Sequence, residues 1–488
     1  MTPTLILLVF TAYTLLLFAI TFITARRANH QSFYIGNKAS PWYVVAYGMI
    51  GASLSGVTFM SVPGWVGETQ FSYMMVAFGY FFGYVVIALV LLPLYYRLQL
   101  TSIYGYLEQR FGFWSYKTGA GFFILSRVLG ASLRMFLVIN VLQIFVFDAW
   151  NVPFWVNVLI FIALVIIYTL KGGIRTIIWT DTLQTTFMLL AVVLSVVFIS
   201  RELGEPVQKL LKNLFESDTS RMVITDWDHP RHFIKQFFSG MFITITMTGL
   251  DQEMMQKNLS IRHLKDAQKN MFTFSTINLV VVFMFLVLGA FLLFFARARN
   301  INVAMSDDLF PTIAFRYLSP AAGIVFLIGL ISAAFPSADG ALTSLTTSFS
   351  IDFLGLEKKP EMDYTKKTRI RYTVHLSFAL IFFICILVFR QMNDRAIIDK
   401  LFTIAGYTYG PLLGLYTFGL FTKRRVTDRF TPWIAIISPI ICYFLHLYSE
   451  ELFNGYRFGF EMILVNGFLT FMGLLIFSRK GSKGVPEA

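Results

Sequence analysis

Long apolar runs recur along this chain, closely spaced and poor in charge, and such runs fold stably only in a bilayer. A membrane core needs roughly 20 consecutive apolar residues per helix. About thirteen runs meet that measure: 4–24, 41–66, 73–96, 117–147, 153–170, 177–200, 233–255, 271–296, 320–349, 372–389, 401–421, 431–449 and 460–477. Of the 488 residues, 56% are hydrophobic and 14% are charged, against about half and a quarter in soluble domains. The 53 Phe and 22 Tyr suit lipid-facing helices and interfacial belts. The fold class predicted is an all-α polytopic membrane protein, with residues 1–488 forming a single transmembrane domain.

The net charge of +13 sits in short loops between apolar runs. It therefore reads as a device for membrane orientation, with no nucleic acid partner. Cys385 and Cys442 lie inside apolar runs, which excludes a disulfide framework and argues against a thiolate metal site. The first run lacks the basic start and small-residue cleavage site of a signal peptide and is followed by Arg26-Arg27, so a retained helix is expected. An odd number of spans puts the termini on opposite sides. Loops after odd-numbered spans hold about 25 Lys and Arg against about 13 on the other side, which makes the richer side cytoplasmic. The N-terminus is then outside and the C-terminus inside, in a plasma or inner membrane. The sizeable outer loop, Arg201–His232, carries six acids. No segment is long and polar enough for a soluble domain, which disfavours receptors and sensors.

Two spans have polar, helix-weakening interiors. The second gathers Gly48, Gly51, Ser53, Ser55 and Gly56, with Pro63-Gly64 beyond; the seventh gathers Gly240, Thr244, Thr246, Thr248 and Gly249. They are the first helices of two successive groups of five. Weak helices at matching places in two halves point to an inverted-repeat carrier with a midplane site; close packing through small residues is the competing reading. Charges within spans are costly and usually functional. Asp181, Asp339, Arg127 and Arg134 are such charges, the two arginines seven apart and so on one face. Sodium, a hard cation, takes oxygen ligands. Asp181, Asp339, Ser337 and freed carbonyls around Gly51–Leu54 are of that kind. The alternative pairs Asp181 and Asp339 with Arg127 or Arg134 as structural ion pairs. Arg134 is suited either to a structural or gating pair or to direct contact with an anionic substrate.

Several stretches, in order along the whole chain, resemble the sodium:solute symporter family, the carriers of sugars, proline, sialic acid, iodide and vitamins. They are Ala52-Ser53-Leu54-Ser55-Gly56, Gly172-Gly173-Ile174-Arg175 with Trp179-Thr180-Asp181 and Gln184, and Asp251-Gln252 with Gln256-Lys257. Ser332–Asp352 and Gly406–Lys423 complete the set. The resemblance implies a five-plus-five inverted-repeat, LeuT-like core: an extra helix in 1–30, repeats in 41–200 and 233–423, and two extra helices in 431–488. It implies a sodium site with carbonyl ligands on Gly51, Leu54 and Ala333 and hydroxyls at the positions of Pro336 and Ser337. Pro336 departs from the pattern, lacking the hydroxyl and breaking the helix. A second sodium site in some members would use Asp181 and the positions of Asp339 and Gly340. Gln252 belongs to an inner-end signature, grouped with Arg127 and Arg134 as intramembrane gating residues.

The expected substrate pocket combines Ser55, Gly56 and Thr58 with Thr246, Thr248 and Gly249. The partners implied are a small-molecule substrate, sodium and the lipid bilayer, with no cofactor beyond sodium as coupling ion. The stretch Arg97–Phe111 looks like the branch that moves iodide, short carboxylates and vitamins. The third span has no carboxylate, Asn or Gln suited to gripping sugar hydroxyls. A proton-coupled carrier of the same fold is the nearest alternative, with Asp181 or Asp339 as proton site. A polytopic membrane enzyme is disfavoured because the six His are scattered and unpaired, with His229 and His232 beside the acidic outer loop. A channel is disfavoured by paired broken helices without a pore ring. Asp307-Asp308 is expected to start a short outer helix.

Overall fold

Apolar residues around most of a helix circumference demand burial in lipid or in neighbouring helices, and both occur here. The computed structural model describes residues 1–25, 40–169, 173–359, 361–392 and 396–480. Arg26, Arg27, Lys38 and the Lys171-Gly172 start of one motif lie outside them. Among the described residues, eight helices are long and apolar enough to cross a membrane, and a bent pair makes up to nine. Among the described residues the other regular elements are helical, apart from a two-residue antiparallel pairing of β1, Arg425–Val426, with β2, Ser478–Arg479.

Helix α1, Pro3–Ala25, precedes the core. The second span is two helices, α2 (Trp42–Ser53) and α3 (Gly56–Thr69), bent by 56°. Then follow α4, Tyr73–Val86, continued through a π-turn to Arg97, and α5, Phe113–Phe145. Next come α6, Phe154–Thr169, and α7, Gly173–Leu203. An amphipathic helix, Val207–Glu216, lies in the acidic loop. The second group of five opens with α8, Phe233–Thr244, a π-turn over Ile245–Gly249 and α9, Gln252–Leu259. It continues with α10 (Leu264–Ala298), α11 (Pro320–Ser348), α12 (Tyr364–Gln391) and α13 (Ile397–Phe421). Helices α14, Thr431–Leu447, and α15, Met462–Ile476, follow. Asp307 and Asp308 do start a short helix, a 3-10 turn leading into Leu309–Thr312.

The first helices of both groups are interrupted, and their surroundings supply what the interruption removes. Beside the first break, α2 packs on α7 while α3 packs on α10 and α11. At the second, α8 lies along α4, and the carbonyls of Gly249 and Leu250 accept the hydroxyls of Tyr95 (2.8 Å) and Tyr104 (3.0 Å). Asp251 then caps α9, its Oδ1 accepting the Glu253 and Met254 amides. A backbone can leave the helical path at membrane depth only with such cover.

One expectation fails. Pro336 does not break its helix: α11 is continuous from Pro320 to Ser348. A proline removes a single i to i−4 bond, and a packed neighbour can absorb the loss. Here α1 packs on α11, with Tyr13 Oη 2.6 Å from Ser332 Oγ. Having no N–H, Pro336 leaves the Ser332 carbonyl without its i to i−4 donor, so the proline that lacks a hydroxyl frees a backbone oxygen instead.

Candidate functional site

The bend between α2 and α3 exposes backbone oxygen. Leu54 closes α2 by donating to the Ile50 carbonyl (2.8 Å), and α3 resumes with Phe59 donating to Ser55 (3.0 Å). Among the described residues no backbone N–H reaches the carbonyls of Gly51, Ala52, Ser53 or Leu54. Gly56 sits tightly here: a Cβ on it would meet Val138 at 2.9 Å and the Ala334 Cα at 3.9 Å. The break therefore faces α11 at the turn carrying Ala333, Pro336 and Ser337. The Ser337 hydroxyl is buried and has no hydrogen-bond partner among the described residues. On the far side of α2, the absent side chains of Gly48 and Gly51 make room for α7 at Asp181, Thr182 and Thr185.

Beside the break lies a cavity of about 80 Å³ between the two interrupted helices. Ser55, Thr58 and Thr248 line it, with Tyr73, Tyr80, Tyr84, Asn278 and both Arg127 and Arg134. The other three expected pocket residues face elsewhere. Gly56 packs on α5 and α11, and the Thr246 hydroxyl turns back to the carbonyls of Phe242 and Ile243. Gly249 packs against Ile87 and Leu91. The tyrosines were not anticipated, although positions 73, 80 and 84 share one helical face, a spacing legible in the sequence. Tyr73 and Tyr80 hydroxyls are 2.9 Å apart, and that of Tyr84 lies among Ser53, Thr244 and Thr248, touching both broken helices.

The two arginines differ in their company. Arg127 is ion-paired with Glu253 and lies 3.6 Å from Asp251, which also accepts the Tyr409 hydroxyl at 2.7 Å. Arg134 keeps part of its surface open to the cavity, and no carboxylate among the described residues lies within ion-pair distance of it. Neither arginine pairs with Asp181 or Asp339, so the ion pairs considered from sequence are replaced by others. Asp181 instead holds Lys257 (2.7 Å), and Lys257 also lies 3.6 Å from Glu253. Both oxygens of fully buried Asp339 lack hydrogen-bond partners among the described residues. Gln252 lies outside the cavity; it clamps the segment between α4 and α5, donating to the Thr101 carbonyl (2.9 Å) and accepting the Ile103 amide (3.0 Å). Glu253 falls within the expected seventh span and Lys257 ends one of the family-like motifs, but their burial against Arg127 and Asp181 depends on partners distant in the chain.

Aromatic rings separate the cavity from a second chamber of about 450 Å³ lined by Trp65, His229, Arg231, Asp399 and Phe460. Phe402 lines the central cavity and Phe460 the second chamber, with ring centroids 4.9 Å apart. The site thus has a basic pocket, bare oxygens beside it and an aromatic partition toward one face.

Comparison with known proteins agrees with this architecture. The chain superposes on a Na+-coupled sialic acid symporter in a substrate-bound outward-open state with a TM-score of 0.80 at 18% identity, covering 98% of this chain and 99% of that one. In sequence it is 21% identical to the sodium/sialic acid symporter SiaT of Proteus mirabilis, over 90% of this chain and 88% of that protein. It is 24% identical to sodium-coupled monocarboxylate transporter 1 of Mus musculus, over 80% of this chain and 64% of that longer protein. Residues 33–429 match the model of the sodium:solute symporter family, and the chain belongs to that family.

Proposed function

We propose that this symporter carries a small carboxylate-bearing solute together with sodium into the cell by alternating access. The observation that carries the substrate class is Arg134. A guanidinium within a membrane protein is stable when its charge is answered; no carboxylate among the described residues lies within ion-pair distance of this one, and Asp251, the acid that acts on it from farther off, is already engaged by Arg127 and Tyr409. The planar fork of arginine matches a carboxylate in two parallel hydrogen bonds. Tyr73, Tyr80, Tyr84, Thr58 and Asn278 offer hydroxyl and amide contacts to the rest of the molecule. The cavity is small against the usual 300–1,000 Å³ of ligand sites, in keeping with a short solute. Two relatives, named for sialic acid and for monocarboxylates, carry acids.

Sodium is held, in this reading, by the carbonyls of Gly51, Leu54 and Ala333 and the Ser337 hydroxyl, with the Ser332 carbonyl freed by Pro336 as a further oxygen. Bound there, it ties the α2–α3 break to α11 and so completes the cavity wall. The basic loops face the cytoplasm, with the N-terminus outside and the C-terminus inside. The test is uptake into proteoliposomes from a panel of radiolabelled short carboxylates, sialic acid, neutral sugars, amino acids and halides, with and without sodium. Saturable sodium-stimulated uptake of carboxylates supports the reading; uptake confined to neutral solutes contradicts it.

A further inference from the structure

Next to the bare carbonyls the protein holds a cation of its own. Lys257 is fully buried on α9, its Nζ 2.7 Å from Asp181 Oδ2 and 3.6 Å from Glu253 Oε1, and within electrostatic reach of Asp339. Asp181 and positions 339 and 340 are where a second sodium would be held by the family resemblance. Position 340 has been surrendered to a neighbour: a Cβ there would run into the Glu253 carboxylate. Three acidic side chains therefore converge on one ammonium, and Glu253 is shared with Arg127. An ammonium and a sodium ion carry the same charge and seek the same oxygens. With Nζ bonded to Asp181, a mobile sodium at that carboxylate would meet a like charge at contact distance in a medium that screens poorly.

We infer that Lys257 is a tethered replacement for the second sodium, so that the carrier moves one sodium per solute. This rests on the sodium-symport reading above and adds its stoichiometry. Its functional consequence is electrical. One sodium with one monocarboxylate is a neutral load, so the sodium concentration gradient drives accumulation and the membrane potential does not; two sodium ions would make the same import electrogenic.

The experiment counts sodium directly. Purified protein is titrated with 22Na+ to obtain bound ions per chain, and the same protein in liposomes is assayed for solute uptake against sodium concentration at potentials clamped by potassium and valinomycin. For the wild type we expect one ion per chain, a Hill coefficient of about 1 and potential-independent uptake of a monocarboxylate. Two ions per chain overturns the inference while leaving sodium symport intact. Absence of both sodium binding and sodium stimulation overturns the symport reading and the inference with it. Lys257→Ala opens the second site, and the count should rise to two with potential-sensitive uptake; a count that stays at one shows that Lys257 is only a structural partner of Asp181 and refutes the proposal. Should that variant fail to fold, the charge-balanced Lys257→Ala/Glu253→Gln pair retains Asp181 and Asp339 and is read in the same way.

Discussion

Replacing Arg134 by methionine removes a guanidinium that lies at the central cavity without an acidic partner among the described residues. Hydrogen bonds to charged groups contribute about 1.5–3 kcal/mol each, so a forked pair to a carboxylate amounts to about 3–6 kcal/mol. Tyr73, Tyr80 and Arg127 border the same space and can take up part of the contact, which favours the lower end. At about 1.4 kcal/mol per tenfold, a loss of about 3–4 kcal/mol is a rise in solute Kd of roughly 10²–10³-fold. Arg134→Lys keeps the charge and loses the fork, so a rise of about tenfold is expected. Stability should move the other way: deleting an unpaired interior charge leaves the melting temperature unchanged or higher. Solute binding is read by isothermal titration calorimetry on purified protein, with sodium binding as a control that Arg134→Met leaves in place. Unaltered affinity, or a fall in melting temperature like that from breaking a buried ion pair, would refute the assignment.

Three further outcomes follow from the same geometry. Asp181→Asn takes the 2.7 Å partner from buried Lys257 and leaves it Glu253 at 3.6 Å, a loss of up to about 3–5 kcal/mol; the variant should lower stability while still binding one sodium per chain, and Asp181→Asn/Lys257→Met recovers much of the stability in thermal unfolding. Ser337→Ala deletes the hydroxyl proposed for sodium and should raise the sodium concentration for half-maximal uptake several-fold with little change in expression, measured in proteoliposomes. In the short turn between α10 and α11, burial pushes the Asp307 carboxyl up to about 6. A folded-state value above the unfolded one means its stabilising contribution is complete below about pH 4 and is lost as pH rises through about 6, a swing on the order of 1–3 kcal/mol; Asp307→Asn should flatten that part of the pH–stability profile.

The membrane architecture and both interruptions were legible because the residues that weaken a helix in lipid are few and conspicuous. Gly51 to Gly56 and Thr244 to Gly249 mark the breaks within a residue or two of where α2 and the π-turn end. What a linear reading missed depends on long-range partners. Lys257 sits in a polar run that looks water-exposed, and only its approach to Asp181, 76 positions away, shows it to be buried. Pro336 signalled a break because helix propensity considers one helix alone, whereas α11 is enclosed by α1, α5 and α7. Gly340 read as a lost ligand; in the fold it is the space that Glu253 occupies. Arg134 could be placed in a span from sequence, but its lack of an acidic partner emerged only when Arg127 proved to hold Asp251 and Glu253.

Cation capture where α2 parts from α3 is tested most directly by flux with sodium as the sole energy source. Proteoliposomes with an inward sodium gradient and no imposed potential should concentrate a short carboxylate, take up 22Na+ in step with it, and lose both fluxes when monensin collapses the gradient. Equal accumulation with choline in place of sodium, or solute entry with no accompanying 22Na+, would contradict it.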